Sequence, residues 1–429
     1  MGYSGLRGLR RHYNADITTQ TNLSFPEHST QSGLCSVCSL CGSCETGSKA
    51  KTGSAVFPKP FGLMQFGAEK RMPSLHDLQV LPELFGEGVD FTKVKTNCEI
   101  GGFKFKFPVS IAGMGSTKVA HKRGFELAEG AALAGIGVVV GENVLNTYGE
   151  QGLKSRIKPF TDNYKKFGAM IVQANAIELQ QGVLEKAKSM GAMGFEIKLG
   201  QGAKQGMGGE IEFSDPEKAK KYKKLGYTIL QTDAGHYQRH AKPGSLSEKE
   251  LLNTLIKYAK FDLPLWIKTG NGAGIIKLIN FLEKAKKDHS LPVTCLTVDG
   301  FEGGTGMSPW SIMNETSLPS ATIMGLIEKK PSFDILLAGG LNHGVDVVKS
   351  MMLGASGFSL GRAFLIAANV KKSLGVKNYV NAIKEESQMF CATQRISSIS
   401  QLKKKKNNLV ALSLDAERMF NVPCSPKNL

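Results

Sequence analysis

Four cysteines crowd one short stretch, Cys35, Cys38, Cys41 and Cys44, out of eight in the chain. Neighbours this close are poorly placed to pair as disulfides. Two-residue spacings instead bring successive thiolates around a small polynuclear centre, as in the ligand runs of ferredoxins. A zinc site more often takes two well-separated pairs and is the plainer alternative. The reading is a [4Fe–4S] cluster on Cys35, Cys38, Cys41 and Cys44, with Cys98, Cys391 and Cys424 as other candidates for the fourth ligand. A second chemical signal lies far downstream. The apolar run Leu291 to Val298 reads as a buried strand and ends in Asp299-Gly-Phe-Glu-Gly-Gly-Thr-Gly-Met-Ser-Pro309. Glycines there permit positive φ and let backbone N–H groups approach a ligand. Two further glycine-rich strand ends follow, at Gly339 and Gly340 and at Gly361, beside Arg362. Strand ends of this kind in series are how a barrel holds a phosphorylated cofactor, with Gly339, Gly340, Gly361 and Arg362 as donors and Arg362 adding a charge-assisted contact.

Read together, these segments resemble the flavin-binding domain of glutamate synthase. Asp299 to Pro309 follows that family's Asp-Gly-Gly-Thr-Gly-Ala-Ser-Pro run, with Phe301 and Glu302 placed before the double glycine. Lys198-Leu-Gly-Gln-Gly-Ala-Lys-Gln-Gly-Met-Gly-Gly209 follows its Lys-Xaa-Gly-Gln-Gly-Ala-Lys-Pro-Gly-Glu-Gly-Gly signature. The resemblance covers roughly residues 100 to 370 and implies FMN. Small residues at a strand end, Ala112, Gly113, Met114, Gly115 and Ser116, suit a flat ring lying close to backbone. Gln173 offers an amide to the ring's pyrimidine edge, or else bonds nearby loop backbone. Lys268 ends an otherwise apolar strand; a buried lysine needs an anion, and reduced flavin would supply it, unless the side chain snorkels to the rim. Asp299, Gly300, Gly303, Gly304 and Thr305 line the same side by resemblance. Lys204 matches the family's substrate-side lysine and Glu142 its glutamate near the flavin; the plainer readings are a surface lysine and a glutamate bonded to loop amides.

The chain departs from the family in three places. Glu210 stands where the family has an amide, the segment Ala234 to His240 replaces a Pro-Pro-Pro-His-His-Asp run, and a triple-cysteine motif after the barrel is absent apart from Cys391. Nothing resembles a glutamine amidotransferase domain, so ammonia is expected to come free or from a separate amidotransferase. The implied function is an FMN- and iron–sulfur-dependent oxidoreductase reducing an imine or keto acid, 2-oxoglutarate plus ammonia to glutamate, with electrons from ferredoxin or a reductase. The alternatives are an FMN barrel oxidoreductase with another substrate, and an electron-transfer subunit with none.

These residues need a scaffold that brings many strand ends to one face. From Pro108 short apolar runs alternate with helical segments, the pattern of βα units. Eight strands are predicted: Val109–Gly113, Gly137–Gly141, Ala169–Gln173, Gly194–Leu199, Pro264–Thr269, Thr294–Asp299, Asp334–Ala338 and Ser356–Leu360. Eight units make an α/β fold, a (β/α)8 TIM barrel, with its site at the C-terminal strand ends. An open doubly wound sheet is disfavoured by the lack of a G-x-G-x-x-G run after an early strand. The expected organisation is an arm with the cysteine module over residues 1–60, a connecting segment over 61–107 with a strand pair turning at Gly101 and Gly102, the barrel over 108–375 and a helical tail over 376–429. In that tail, Ile396 to Leu402 is expected to end one helix and start another. The connection from Leu199 to Pro264, about 65 residues, is long enough to build or cover a site.

A formal charge of +17, mostly lysine, favours a solvated surface or a docking face for an acidic electron carrier over nucleic-acid binding. With no run of 18 apolar residues and no signal-like N-terminus, the expectation is a cytoplasmic protein with no membrane segment. A homo-oligomer is compatible with all of this.

Overall fold

The computed structural model describes residues 72–200, 202, 211–231, 235–240, 246–300, 316–340 and 343–425. The cysteine run Cys35, Cys38, Cys41 and Cys44 lies outside them. Eight parallel strands close into a barrel in chain order. They are β1 (Val109–Met114), β2 (Gly137–Val140), β3 (Ala169–Ala174), β4 (Gly194–Lys198), β5 (Leu265–Gly270), β6 (Val293–Asp299), β7 (Asp334–Ala338) and β8 (Gly357–Leu360). Closure runs through β8 beside β1 and β4 beside β5. Each predicted strand is present, its ends shifted by a residue or two at most. The reason they were legible is that a parallel strand buried on both faces must be almost continuously apolar; β2, a glycine followed by three valines, is buried throughout.

Helices fill the outer layer. The first, α1 (Lys118–Ala134), begins at Thr117, whose side chain accepts from the Ala120 N–H, and stops at Gly135 with φ +70. The next, α2 (Val144–Asn163), starts from Asn143 at φ +66 and breaks at Gly149. After β8 comes α3 (Arg362–Thr393), interrupted at Lys371 and Lys372. It packs closely on α1 because Gly130 has no side chain; a Cβ there would meet Val376 Cβ at 2.5 Å.

The N-terminal end of the barrel is plugged by the expected strand pair, Cys98–Ile100 with Phe103–Phe105. Its turn uses Gly101 and Gly102 at φ +57 and +88, the backbone region a two-residue hairpin demands. Gly101 is the keystone. Its carbonyl accepts from Trp266 Nε1 at 3.0 Å and Thr294 Oγ1 at 2.8 Å, and its N–H donates to Asp334 Oδ2 at 2.8 Å. Three strands are thereby tied to one peptide. With that end closed, chemistry is left to the other.

The tail is not all helix. The chain leaves α3 at Thr393, turns through short 3-10 segments at Ile399–Lys404 and Lys406–Asn408, and forms a strand, Leu409–Ala411, before the helix Leu414–Phe420. The strand pairs antiparallel with Leu78–Val80. At Ile396 to Leu402, where one helix is expected to end and another to start, the chain instead bridges to Lys95. The Lys95 N–H donates to the Ser397 carbonyl at 2.9 Å, and its carbonyl accepts from the Ile399 N–H at 2.9 Å. A partner more than 300 residues away overrides the local pattern. The connection between β4 and β5 carries a three-stranded antiparallel sheet, Ile211–Phe213, Tyr237–His240 and Thr228–Gln231 with Tyr237–His240 in the middle, plus the helix Pro216–Lys224. Among the described residues, no helix is long and apolar enough to cross a membrane.

Candidate active site

At the C-terminal mouth the barrel lining turns from apolar to charged. Side chains two apart on a strand share a face, so Glu196 and Lys198 of β4 line the mouth together, with Gln173 from β3, Lys268 from β5, and Thr297 and Asp299 from β6. All are buried. Charge buried at this density needs pairing, and the pairs are present. Lys268 Nζ is 3.0 Å from Asp299 Oδ2, and Lys198 Nζ is 2.7 Å from Glu142 Oε1 just past β2. Glu196 accepts from Thr297 Oγ1 at 2.9 Å through one oxygen and from the Gln173 amide through the other.

Protonation follows burial and neighbours. Burial works to depress Lys268, but the Asp299 and Glu196 carboxylates outweigh it and hold the ammonium above its ordinary range. Burial raises Glu196, opposed by Lys268 and by its two hydrogen-bond donors. Glu178, just after β3, is pushed up to about 8, first by burial and then by the Glu142 carboxylate; the N–H groups of Asn143 and Asn175 act the other way. It accepts from the Asn143 N–H at 2.8 Å.

The end of β1 is shaped by what it lacks. A Cβ on Gly113 would meet Gln173 Nε2 at 2.9 Å, and one on Gly115 would meet the Glu142 carbonyl at 2.5 Å. Beneath this turn Arg156 of α2, 3 % exposed, donates through NH1 to the carbonyls of Met114 at 3.0 Å and Gly115 at 2.9 Å. Carbonyl and N–H point in opposite directions across a trans peptide. Arg156 therefore turns the N–H groups of Gly115 and Ser116 away from α2. From above, Arg239 of the inserted sheet lies fully buried between the rings of Tyr222 and Tyr227, with NH2 3.5 Å from Ser116 Oγ. The Tyr227 hydroxyl bonds Asn143 Oδ1. Gly202 packs on the end of β6, where a Cβ would fall 2.1 Å from the Gly300 carbonyl.

Ala112, Gly113 and Met114 end β1, and Gly115 and Ser116 follow it. Gln173, Lys268 and Asp299 face one another's strand ends. Gly300 donates its N–H to the Ala338 carbonyl at 2.8 Å. Gly339 and Gly340 leave β7 at φ +105 and +70. Gly361 and Arg362 form the junction of β8 with α3. The anion facing Lys268 is a protein carboxylate, Asp299, and the side chain stays inside instead of reaching the rim. Glu142 is bonded to Lys198, and Gln173 to Glu196. Lys204, Glu210, Gly303, Gly304 and Thr305 lie outside the described residues.

Cys98 and Cys391, alternatives for the cluster, carry thiols that burial pushes up to about 12. The Cys424 thiol is raised by its bond to Glu417 and, to a lesser extent, by burial. Among the described residues, no group of three metal-ligating side chains converges.

Glu196, Lys198, Glu178, Arg156, Tyr227 and Arg239 were not among the predicted site residues. Two charges at alternate positions of the apolar run Gly194 to Lys198 are a signal for the first pair. Nothing local marks Arg239, whose place depends on how the insertion folds back.

Residues 82–382 match the model of the conserved region in glutamate synthase. The archaeal-type glutamate synthase [NADPH] of Thermotoga neapolitana is 25% identical over 275 residues, 62% of this chain and 49% of that one. The archaeal glutamate synthase [NADPH] of Archaeoglobus fulgidus is 25% identical over 288 residues, 65% and 51% of the two chains. The chain thus spans about half the length of the curated relatives it matches. In fold it is similar to a lactate oxidase of Pediococcus acidilactici (TM-score 0.54, 15% identity, 79% of this chain and 84% of that one). It is likewise similar to a flavocytochrome b2 variant with sulfite bound (TM-score 0.52, 19% identity, 80% and 78%). Both likenesses concern the fold alone. The family match spans most of the chain and includes all eight strands with the charged mouth between them: the chain belongs to the family defined by the conserved region of glutamate synthase.

Proposed function

We propose that this chain is an FMN-dependent oxidoreductase of the glutamate synthase type, reducing the imine formed from 2-oxoglutarate and ammonia to glutamate. The observation that carries this reading is the Gln173 amide, whose Oε1 is buried without a partner amid paired charges at the mouth. A buried orphan acceptor calls for a donor, and the imide N–H of a flavin is one. The end of β1, Ala112 to Ser116, would lie beside the ring, with Gly113 and Gly115 leaving room for Gln173 and the Glu142 carbonyl. Gly339, Gly340, Gly361 and Arg362 would hold its phosphate. FMN, when bound, takes electrons singly and passes them on in pairs as hydride.

The chain's own residues do the rest. Lys268 keeps a positive charge buried beneath the mouth. Lys198 holds protons at Nζ beside Glu142 and is a candidate to supply one to the reduced substrate. Lys204 and Glu210 would meet the substrate, Lys204 through its carboxylates. Electrons would come from ferredoxin or a reductase through a [4Fe–4S] cluster on Cys35, Cys38, Cys41 and Cys44, a reading supported by their spacing. Ammonia would arrive free or from a separate amidotransferase.

The test is direct. Anaerobically purified protein should release FMN on denaturation, and its reduced flavin should be reoxidised by 2-oxoglutarate plus ammonia with glutamate as product. Protein that binds no FMN overturns the reading. Bound FMN that is inert to these substrates points to another acceptor.

A further inference from the structure

Glu196 has a place in the mouth that no catalytic step requires. It is 1 % exposed, and both of its oxygens are used. Oε1 accepts from Thr297 Oγ1 at 2.9 Å and Oε2 accepts from Gln173 Nε2. A carboxylate is acceptor-only, so Glu196 can bond Gln173 only through the amide nitrogen. The amide oxygen is then left over, buried and without a partner. Gly113 leaves the room this arrangement needs, since a Cβ there would meet the amide nitrogen, carbon and oxygen at 2.9, 3.1 and 3.2 Å.

We propose that Glu196 is a positioning residue that locks the Gln173 amide in one orientation, so that the mouth of the barrel presents a fixed acceptor to a ligand N–H. The inference rests on the FMN reading and deepens it: the group that Gln173 Oε1 receives is the ring imide. Were the amide free to turn, donor and acceptor would exchange, and an NH2 group would meet the imide N–H in the turned orientation. Thr297 is the third member. By taking the other oxygen of Glu196 it keeps the carboxylate plane from swinging away from Gln173.

The test uses the full-length protein loaded with 15N-labelled FMN. In the wild type the imide proton should give a resolved 15N–1H signal and exchange with water at least about tenfold more slowly than in free FMN, the protection expected of one buried hydrogen bond. Glu196→Gln has nearly the same shape but offers both a donor and an acceptor. It should lose most of that protection while FMN stays bound. Gln173→Met, which removes the acceptor outright, should abolish it. A wild-type imide proton exchanging at the free-ligand rate overturns the proposal without reference to any variant. So does full protection in Glu196→Gln, which would mean that packing, not the carboxylate, orients the amide. Failure of the wild type to bind FMN at all would instead sink the functional reading on which the proposal rests.

Discussion

Lys198 Nζ sits 2.7 Å from Glu142 Oε1, although β4 and β2, the strands that carry them to the mouth, are not neighbours. β3 lies between, with Gln173 at its end. The pair therefore spans the mouth across an intervening strand, and both partners are nearly free of solvent.

Breaking this pair should be costly, because the surviving charge stays buried. Lys198→Met is expected to lose about 3–5 kcal/mol of stability, since it removes the ammonium 2.7 Å from the buried Glu142 carboxylate. Adding Glu142→Gln should recover part of that loss. Urea unfolding of the two singles and the double gives the coupling; additive singles would mean that the contact contributes nothing.

Glu178 sets a pH dependence. Its carboxyl moves from 4.5 to about 8 on folding, so the folded chain holds a proton that the unfolded chain has released. The stability this contributes is full below about pH 4.5 and is lost as pH rises toward 8. Glu178→Gln, which stays neutral, should flatten that decline. Urea midpoints at pH 5 through 8 for both proteins are the measurement, and parallel profiles would refute the assignment.

Arg156 should matter to the cofactor from outside the barrel. Arg156→Met frees the carbonyls of Met114 and Gly115, costing about 1–3 kcal/mol and letting the β1 turn rotate. FMN titration of the apoprotein should show weaker binding, beyond any loss traced to unfolding. Unchanged affinity in a destabilised protein would reduce Arg156 to a packing role.

Gly101 should tolerate nothing larger. A Cβ there would lie 2.3 Å from Trp266 Nε1, on a residue already at φ +57. Gly101→Ala is expected to cost about 2–4 kcal/mol by pulling the hairpin off the barrel floor. Thermal unfolding reads it directly, and a variant as stable as wild type would show that the plug is dispensable.

How much was legible follows from the range of each force. Strands buried on both faces must be apolar along their length, so Gly137 to Val140 or Asp334 to Ala338 announce themselves without help from the rest of the chain. The turn at Gly101 and Gly102 and the glycines ending β1 and β7 are equally local, since positive φ and close backbone approach favour that residue type. The sequence by itself determined the barrel, the face on which its site lies, and Gln173, Lys268 and Asp299 as lining residues. Partners were another matter. That Lys268 finds Asp299, that Glu142 finds Lys198 across β3, and that Glu196 turns Gln173 are consequences of barrel closure, which brings together side chains 23 to 101 residues apart in sequence. The strand at Leu409–Ala411 is the same lesson in the tail, where pairing with Leu78–Val80 decides a conformation that local periodicity assigned to helix. Coulomb and hydrogen-bond energies act through space over a few ångströms, and only the folded backbone sets which residues lie within that reach.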